Sequence, residues 1–165
     1  MISSDINSAN NPALCSLILR SFLTGFEEVK KDGCEFPILF LTLPFILSGN
    51  IRERFKGSNI NTGLLTWLSR EPQVLINLPK RIEVANLLTK KAIIFGTTNN
   101  VIKITDNGLF MSDSSGIVKS KLDLIITEDN QSDIYEMFTL SKRFGGWCGQ
   151  LESTIILYNI MGLTL

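Results

Sequence analysis

At 165 residues, with 16 basic and 16 acidic side chains and no net charge, the chain has room for one domain with a real core and shows no charge bias toward nucleic acid or anionic membrane. It contains no histidine, which removes the usual general base, the commonest zinc ligand and every histidine-dependent triad. Cys15, Cys34 and Cys148 are odd in number and far apart, which argues against a disulfide framework or a C-x-x-C site and fits a reducing cytoplasm.

Met1 to Asn10 is polar and lacks the basic-then-apolar order of a signal peptide, so it reads as a flexible tail. Asn11-Pro12 opens a helix, with asparagine as cap and proline in the first turn, where its missing N–H costs nothing. Leu14, Leu17, Ile18, Phe22, Phe26 and Val29 recur at helical spacing as far as Lys31, and Asp32-Gly33 supplies the stop. Phe36 to Leu47 is apolar on every side, which leaves helix and strand open; a short helix cut by Pro44 is expected. The run falls well short of the roughly 20 residues that cross a bilayer. With 44% apolar residues and a mean hydropathy of +0.20, burial inside protein is the better account. Ile51 to Lys56 reads as a short charged helical piece and Gly57 to Asn61 as a loop. Thr62 then caps a helix carrying Leu64, Leu65, Trp67 and Leu68, which Glu71-Pro72 ends.

Gln73 to Asn99 reads as two helical pieces hinged near Pro79. In the second, Ile82, Ala85, Leu88, Ala92 and Phe95 form one stripe, and Val84, Leu87 and Ile94 widen it. Val101 to Thr105 and Leu109 to Ser112 flank Asp106-Asn107-Gly108 as a hairpin. Asn-Gly at the tip predicts a type I′ turn with Ile104 opposite Met111, on a face with Ile102 and Leu109 that lies on the helices. Ser114 to Gln131 is polar and mobile in expectation, around the apolar patch Leu122 to Ile126. Asp133 and Glu136 open the next helix as a capping box. Leu140, Phe144, Trp147 and Leu151 follow one row of it, and Ser141, Gly145 and Gly149 follow another. Glycines cost a helix up to about 1 kcal/mol each, so the small row predicts a second helix pressed closely against it. Ser153 to Met161 is a last short helix stopped by Gly162.

No catalytic constellation, P-loop or metal-ligand spacing appears, so no enzyme, cofactor, metal or small-molecule substrate is expected. The order helix, helix, hairpin from Thr62 to Ser112 is that of a winged helix-turn-helix. Its nucleic-acid contacts would be Asn86, Lys90, Lys91 and Lys103, a thin set for base readout. The basic pairs Arg52/Arg54, Lys80/Arg81, Lys90/Lys91, Lys119/Lys121 and Lys142/Arg143 read as solvated surface. Trp67 and Trp147 read as core anchors. The alternative is a partner surface of Arg143, Phe144 and Trp147, arginine and tryptophan being the commonest binding hot spots. Loss of folding in Trp147→Ala supports the core, and loss of a complex with folding intact supports the interface.

Asn11-Pro12-Ala13 opening an apolar helix, Pro37 to Leu41 with Leu43-Pro44, Arg52 followed by Thr62 to Leu68, Lys91 to Gly96, and Phe144-Gly145-Gly146-Trp147 occur in an order that resembles the middle component of bacterial three-component ABC systems. The resemblance runs from Asn11 to Leu163. It implies a non-catalytic adaptor between an SMC-like ABC ATPase and a variable effector, in defence against phages and plasmids, comparable to kleisin-associated winged-helix subunits. DNA would be met only through the complex. Where the family's late motif reads Gly-Arg-Trp, this chain has Gly146 in the arginine place, with Arg143 one turn earlier. The expected fold is α+β and mostly helical: a winged-helix-like core over 11–165 with a β-hairpin wing near 101–113, a mobile segment near 114–131 and a flexible tail over 1–10. The expected protein is cytoplasmic, without a membrane span; its alternative is a winged-helix DNA-binding regulator.

Overall fold

The computed structural model describes residues 11–113, 115 and 133–165. Asn11, extended at φ −106°, accepts through Oδ1 from the backbone N–H groups of Ala13 (3.0 Å) and Leu14 (3.2 Å), and Pro12 begins α1 (Pro12–Val29). A cap of this kind contributes about 1 kcal/mol. Cys15, Ile18, Leu19, Phe22, Leu23 and Phe26 form its buried face. The helix ends at Val29, so that residue is partly exposed, and Gly33 at φ +113° then turns the chain.

The apolar run after it is helical in two pieces, α2 (Phe36–Leu39) and α3 (Thr42–Ile46). The break falls at Phe40-Leu41, one turn before Pro44 and not at it. A proline removes the N–H that would bond to the carbonyl four residues back, and its ring clashes with that carbonyl, which here belongs to Phe40. α4 (Gly49–Glu53) follows, then a loop, then α5 (Leu64–Arg70). Gly63 at φ +76° caps α5 without a side chain. Thr62, expected there, accepts from the Asn59 N–H instead (3.0 Å), closing the loop behind it. Glu71 ends α5 as expected, and a 3-10 turn, Pro72–Leu75, leads to α6 (Leu78–Thr98), which has Pro79 in its first turn.

The hairpin pairs β1 (Ile102–Ile104) with β2 (Phe110–Ser112), antiparallel, with Ile104 opposite Phe110 and Lys103 opposite Met111. This register is one residue away from the expected one. Thr105 accepts from the Gly108 N–H (2.9 Å) and donates its own N–H to the Leu109 carbonyl (2.8 Å), and among 106–108 only Gly108 has positive φ. The loop thus has three residues, a type I turn completed by a left-handed glycine, where a type I′ turn would need positive φ at Asn107 as well. Cys34 exchanges both backbone hydrogen bonds with Phe110 (2.8 Å each), and Ser112 donates its N–H and its hydroxyl to the Glu27 carboxylate on α1. The base of the hairpin is fastened to the body, and its tip from Ile104 to Gly108 is largely exposed.

α7 (Asp133–Gly149) lies against α1. Ser141 Oγ donates to the Ile18 carbonyl (2.8 Å), a Cβ on Gly145 would stand 2.0 Å from the Phe22 carbonyl oxygen, and one on Gly149 would stand 3.0 Å from that of Phe26. The three pairs rise together by four residues, so the two helices run parallel in fixed register, and the small row meets the backbone of α1 as its spacing predicts. Asp133 is the first helical residue, and Glu136 reaches back to Arg52, not to a cap. α8 (Thr154–Ile160) closes the fold: Ser153 caps it, Tyr158 donates to the Pro37 carbonyl (2.6 Å), and Thr154 Oγ1 donates to Glu35 (2.5 Å). The described residues are thus mostly helical, with one small antiparallel sheet among them. The tail over 1–10 and nearly all of 114–131, with its patch at Leu122 to Ile126 and the pair Lys119/Lys121, lie outside the described residues.

Candidate partner-docking surface

Phe144 and Trp147, the aromatic members of the expected partner surface, are both 0% exposed. Their rings join Phe22, Phe45, Phe55 and Trp67 in one cluster, with centroids 4.9 Å apart for Phe45–Phe144 and 5.6 Å apart for the stacked pair Phe55–Trp147. Trp147 Nε1 donates to the carbonyls of Asn59 and Ile60 (3.1 Å each), and Trp67 Nε1 to that of Arg54 (2.9 Å). Both tryptophans are core anchors whose polar ends are satisfied by backbone, and in the folded chain neither ring presents a surface. Arg143 is half-buried, with Nη1 donating to Ser58 Oγ (3.3 Å), and burial pulls its pKa down. At Gly146, in the arginine place, a Cβ would stand 2.6 Å from Ile60 Cδ1. The loop over 57–63 covers this position, and a longer side chain has no room while Ile60 sits there.

The basic pairs divide. Arg52, read as solvated, is 5% exposed: Nη1 donates to the Ile46 carbonyl (2.7 Å) and Nε to Glu136 (3.2 Å). Arg81 is half-buried too, donating to the carbonyls of Pro44 (3.0 Å) and Val74, with its guanidinium 5.4 Å above the Phe45 ring. Removal from water pulls its pKa down, as for Arg143. These arginines bind carbonyls that the short, interrupted helices leave open, a demand their pairing in sequence does not reveal. Among the nucleic-acid candidates, Lys90, Lys91 and Lys103 are exposed, and Asn86 is half-buried with an unpartnered, buried Oδ1. They do not form one cluster. Lys103 lies on β1, past the end of α6, whereas Lys91 is about 10 Å short of that end at 1.5 Å per residue.

The surface that stands out is the outer side of α6. Its inner face, Leu78, Thr89, Ala92, Ile93 and Gly96, is buried. Val84, Leu87 and Ile94, expected to widen that face, are 73%, 63% and 65% exposed, and Phe95 is also exposed. The helix has two apolar seams, and among the described residues only one of them is packed. The sequence pattern reads as one wide stripe, because neighbouring apolar positions around a helix cannot be divided into a packed and an exposed seam until the partner helix is placed.

Beside the outer seam runs a groove of about 770 Å³, walled by Leu43, Pro44 and Leu47 on one side and by α6 from Lys80 to Lys91 on the other, with Pro12 at its end. It continues past Pro12 and Lys91 into a smaller hollow of about 340 Å³ at Ile94, Phe95 and Thr98. Lys80, Arg81 and Lys91 line it, and none of the described residues lining it is acidic. Lys80 is held on its outer side by Glu83 (3.1 Å), one turn on. Apolar walls with a cationic border suit an apolar partner with negative flanks.

Little else in the described residues offers chemistry. The thiols of Cys15, Cys34 and Cys148 are buried, and burial pushes all three pKa values up, that of Cys15 to about 12. Such thiols are poor nucleophiles. Among the described residues no group of three His, Cys, Asp or Glu side chains could hold a metal ion, and no helix is long and apolar enough to cross a membrane.

No curated protein and no solved structure is detectably similar to this chain. One protein family matches it, over residues 1–165, and its description agrees with the resemblance carried by the ordered motifs from Asn11 onward. The chain belongs to the family described as the ABC-three component (ABC-3C) system Middle Component 3.

Proposed function

We propose that this middle component is a non-catalytic, cytoplasmic adaptor that joins an SMC-like ABC ATPase to an effector component in bacterial defence against phages and plasmids. The observation that carries the reading is the second apolar seam on α6, where Val84, Leu87, Ile94 and Phe95 are exposed in a row; an exposed apolar seam of this kind supports contact with another protein. Membership of a three-component family supports partners encoded alongside. The missing histidine, the buried thiols and the lack of a carboxylate among the described residues lining the groove support chemistry residing in those partners.

The test is co-expression of the full chain with the ABC ATPase component of a three-component system of this family. The adaptor reading expects the two to copurify at fixed stoichiometry, and the reading fails if the chain elutes alone. The alternative, a winged-helix-like DNA regulator, rests on the order α5, α6, hairpin and on the exposed Lys90 and Lys91. It expects duplex binding that weakens steeply with salt. The outer face of α6 speaks against it, since the helix that would enter a groove presents Val84, Leu87 and Ile94 where polar side chains are needed.

A further inference from the structure

We infer that the groove over α6 receives one amphipathic α-helix with acidic flanks, contributed by another protein; that this protein is an assembly partner rests on the adaptor reading above. The first argument is spacing. Val84, Leu87 with Leu88, Lys91, Ile94 with Phe95, and Thr98 follow one another at steps of three and four, the alternation of a coiled-coil seam. From Val84 to Thr98 the seam is about 21 Å long, the rise of fourteen helical residues, so a partner helix of about four turns covers it.

The second argument is backbone accounting. One wall of the groove is α6, whose backbone is engaged in its own helical hydrogen bonds. An extended peptide laid there would bury N–H and C=O groups with nothing to bond, whereas a helix satisfies its own.

Charge is the third. Lys80 and Arg81 line the groove but already have partners, Glu83 for the one and the Pro44 and Val74 carbonyls for the other. Lys91 stands in the seam itself between the two apolar pairs, and among the described residues no carboxylate pairs with it. A lysine at such a position sets register and demands a carboxylate across from it. A second copy of α6 would bring the same lysines face to face, so charge disfavours self-association as the occupant.

The experiment uses the full chain and two designed helical peptides with leucines at the seam positions, one flanked by glutamates and one by lysines. Fluorescence anisotropy reads their affinities. The glutamate peptide is expected to bind at least about tenfold more tightly than the lysine peptide, Leu87→Asp to weaken it at least about tenfold, and Lys91→Glu to reverse the order of the two peptides. Leu87 is exposed, so the variant is expected to melt like the parent; if it unfolds, Val84→Asp replaces it. Equal binding of the two peptides, or binding of neither below about 100 µM, overturns the inference. So does a concentration-dependent dimer that Leu87→Asp dissolves, which would make a second copy the occupant. A more than tenfold gain in peptide affinity on deleting residues 1–10 would assign the groove to the chain's own terminus, with the same consequence. An ATPase that copurifies with parent, Leu87→Asp and Lys91→Glu alike leaves the adaptor reading standing and sinks this inference. Binding of the glutamate peptide by a chain that ignores the ATPase does the reverse.

Discussion

Replacing Gly145 by alanine adds one carbon at the tightest point of the fold. That carbon would stand 2.0 Å from the Phe22 carbonyl oxygen, 2.8 Å from its carbon and 3.1 Å from its Cα. All three are backbone atoms of α1, so no rotamer change relieves the overlap. Carbon and carbonyl oxygen approach no closer than about 3.3 Å, so α1 and α7 must part by about 1 Å. Gly25, whose own Cβ would stand 1.9 Å from the Lys142 carbonyl oxygen, shows that the approach is equally close from the other side. Overpacking that side chains can absorb costs 1–3 kcal/mol, and this case sits at or above the top of that range. Strain on the Ser141 hydrogen bond to Ile18 adds about 1 kcal/mol, and the better helix propensity of alanine returns about as much. The expected loss is about 3 kcal/mol, a drop in Tm of roughly 6–12 °C for a domain of this size. Urea unfolding followed by tryptophan fluorescence measures it, since both indoles are buried. Gly146→Ala is the matched control. There the new carbon meets the flexible end of Ile60 at 2.6 Å, which can swing away, so the cost stays within about 1 kcal/mol. A Gly145→Ala protein as stable as its parent, or two variants of equal stability, would refute the reasoning.

Other expectations follow from single contacts. Arg52→Ala leaves the Ile46 carbonyl without its buried donor and should cost about 2 kcal/mol in urea unfolding, while Glu136→Gln, at the exposed end of the same pair, should cost under about 1 kcal/mol. In the hairpin, Gly108→Ala should cost about 1 kcal/mol and Asn107→Ala under about 0.5 kcal/mol, because only Gly108 has positive φ; similar large costs for both would restore the type I′ turn. The thiol of Cys15 is raised by burial to about 12 and those of Cys34 and Cys148 also lie above the ordinary range. A folded pKa above the unfolded one gives stability that is complete below the unfolded value, about 8.5, and is lost as pH rises toward the folded one. The urea midpoint is therefore expected to fall between pH 8 and pH 10, with thiol reagents reacting only as the protein unfolds; a flat midpoint contradicts the burial.

Some helix ends and the close packing of α7 on α1 were legible because they depend on nearest neighbours, whereas the caps expected at Thr62 and Asp133 are not found. Asn11-Pro12 at one end of α1, Glu71-Pro72 after α5 and the row Ser141, Gly145 and Gly149 each state a local geometry, and each is found. What required the fold was the choice of neighbour. Pro44 broke the helix one turn upstream, at the carbonyl it clashes with. The Asp106 to Gly108 loop took three residues where two were expected, which moved the strand register by one. Arg52 and Arg81 were drawn inward by carbonyls of short helices whose positions no local pattern fixes. Which apolar and aromatic groups end up buried also depends on the choice of neighbour. Trp147 and Arg143 have the chemistry of a hot spot but lie under the loop over 57–63, whereas Val84, Leu87 and Ile94 have the chemistry of a core and lie outside it.

The most direct measurement is a paired copurification: the full chain and its Leu87→Asp variant, each co-expressed with the ABC ATPase proposed as its partner, with the variant's melting curve recorded beside the parent's. An adaptor that docks through α6 should bring the ATPase down with the parent chain, and the ATPase should be lost with a variant that melts unchanged. A parent chain that comes down alone contradicts the adaptor role, and an ATPase held equally by both places its docking surface elsewhere on the molecule.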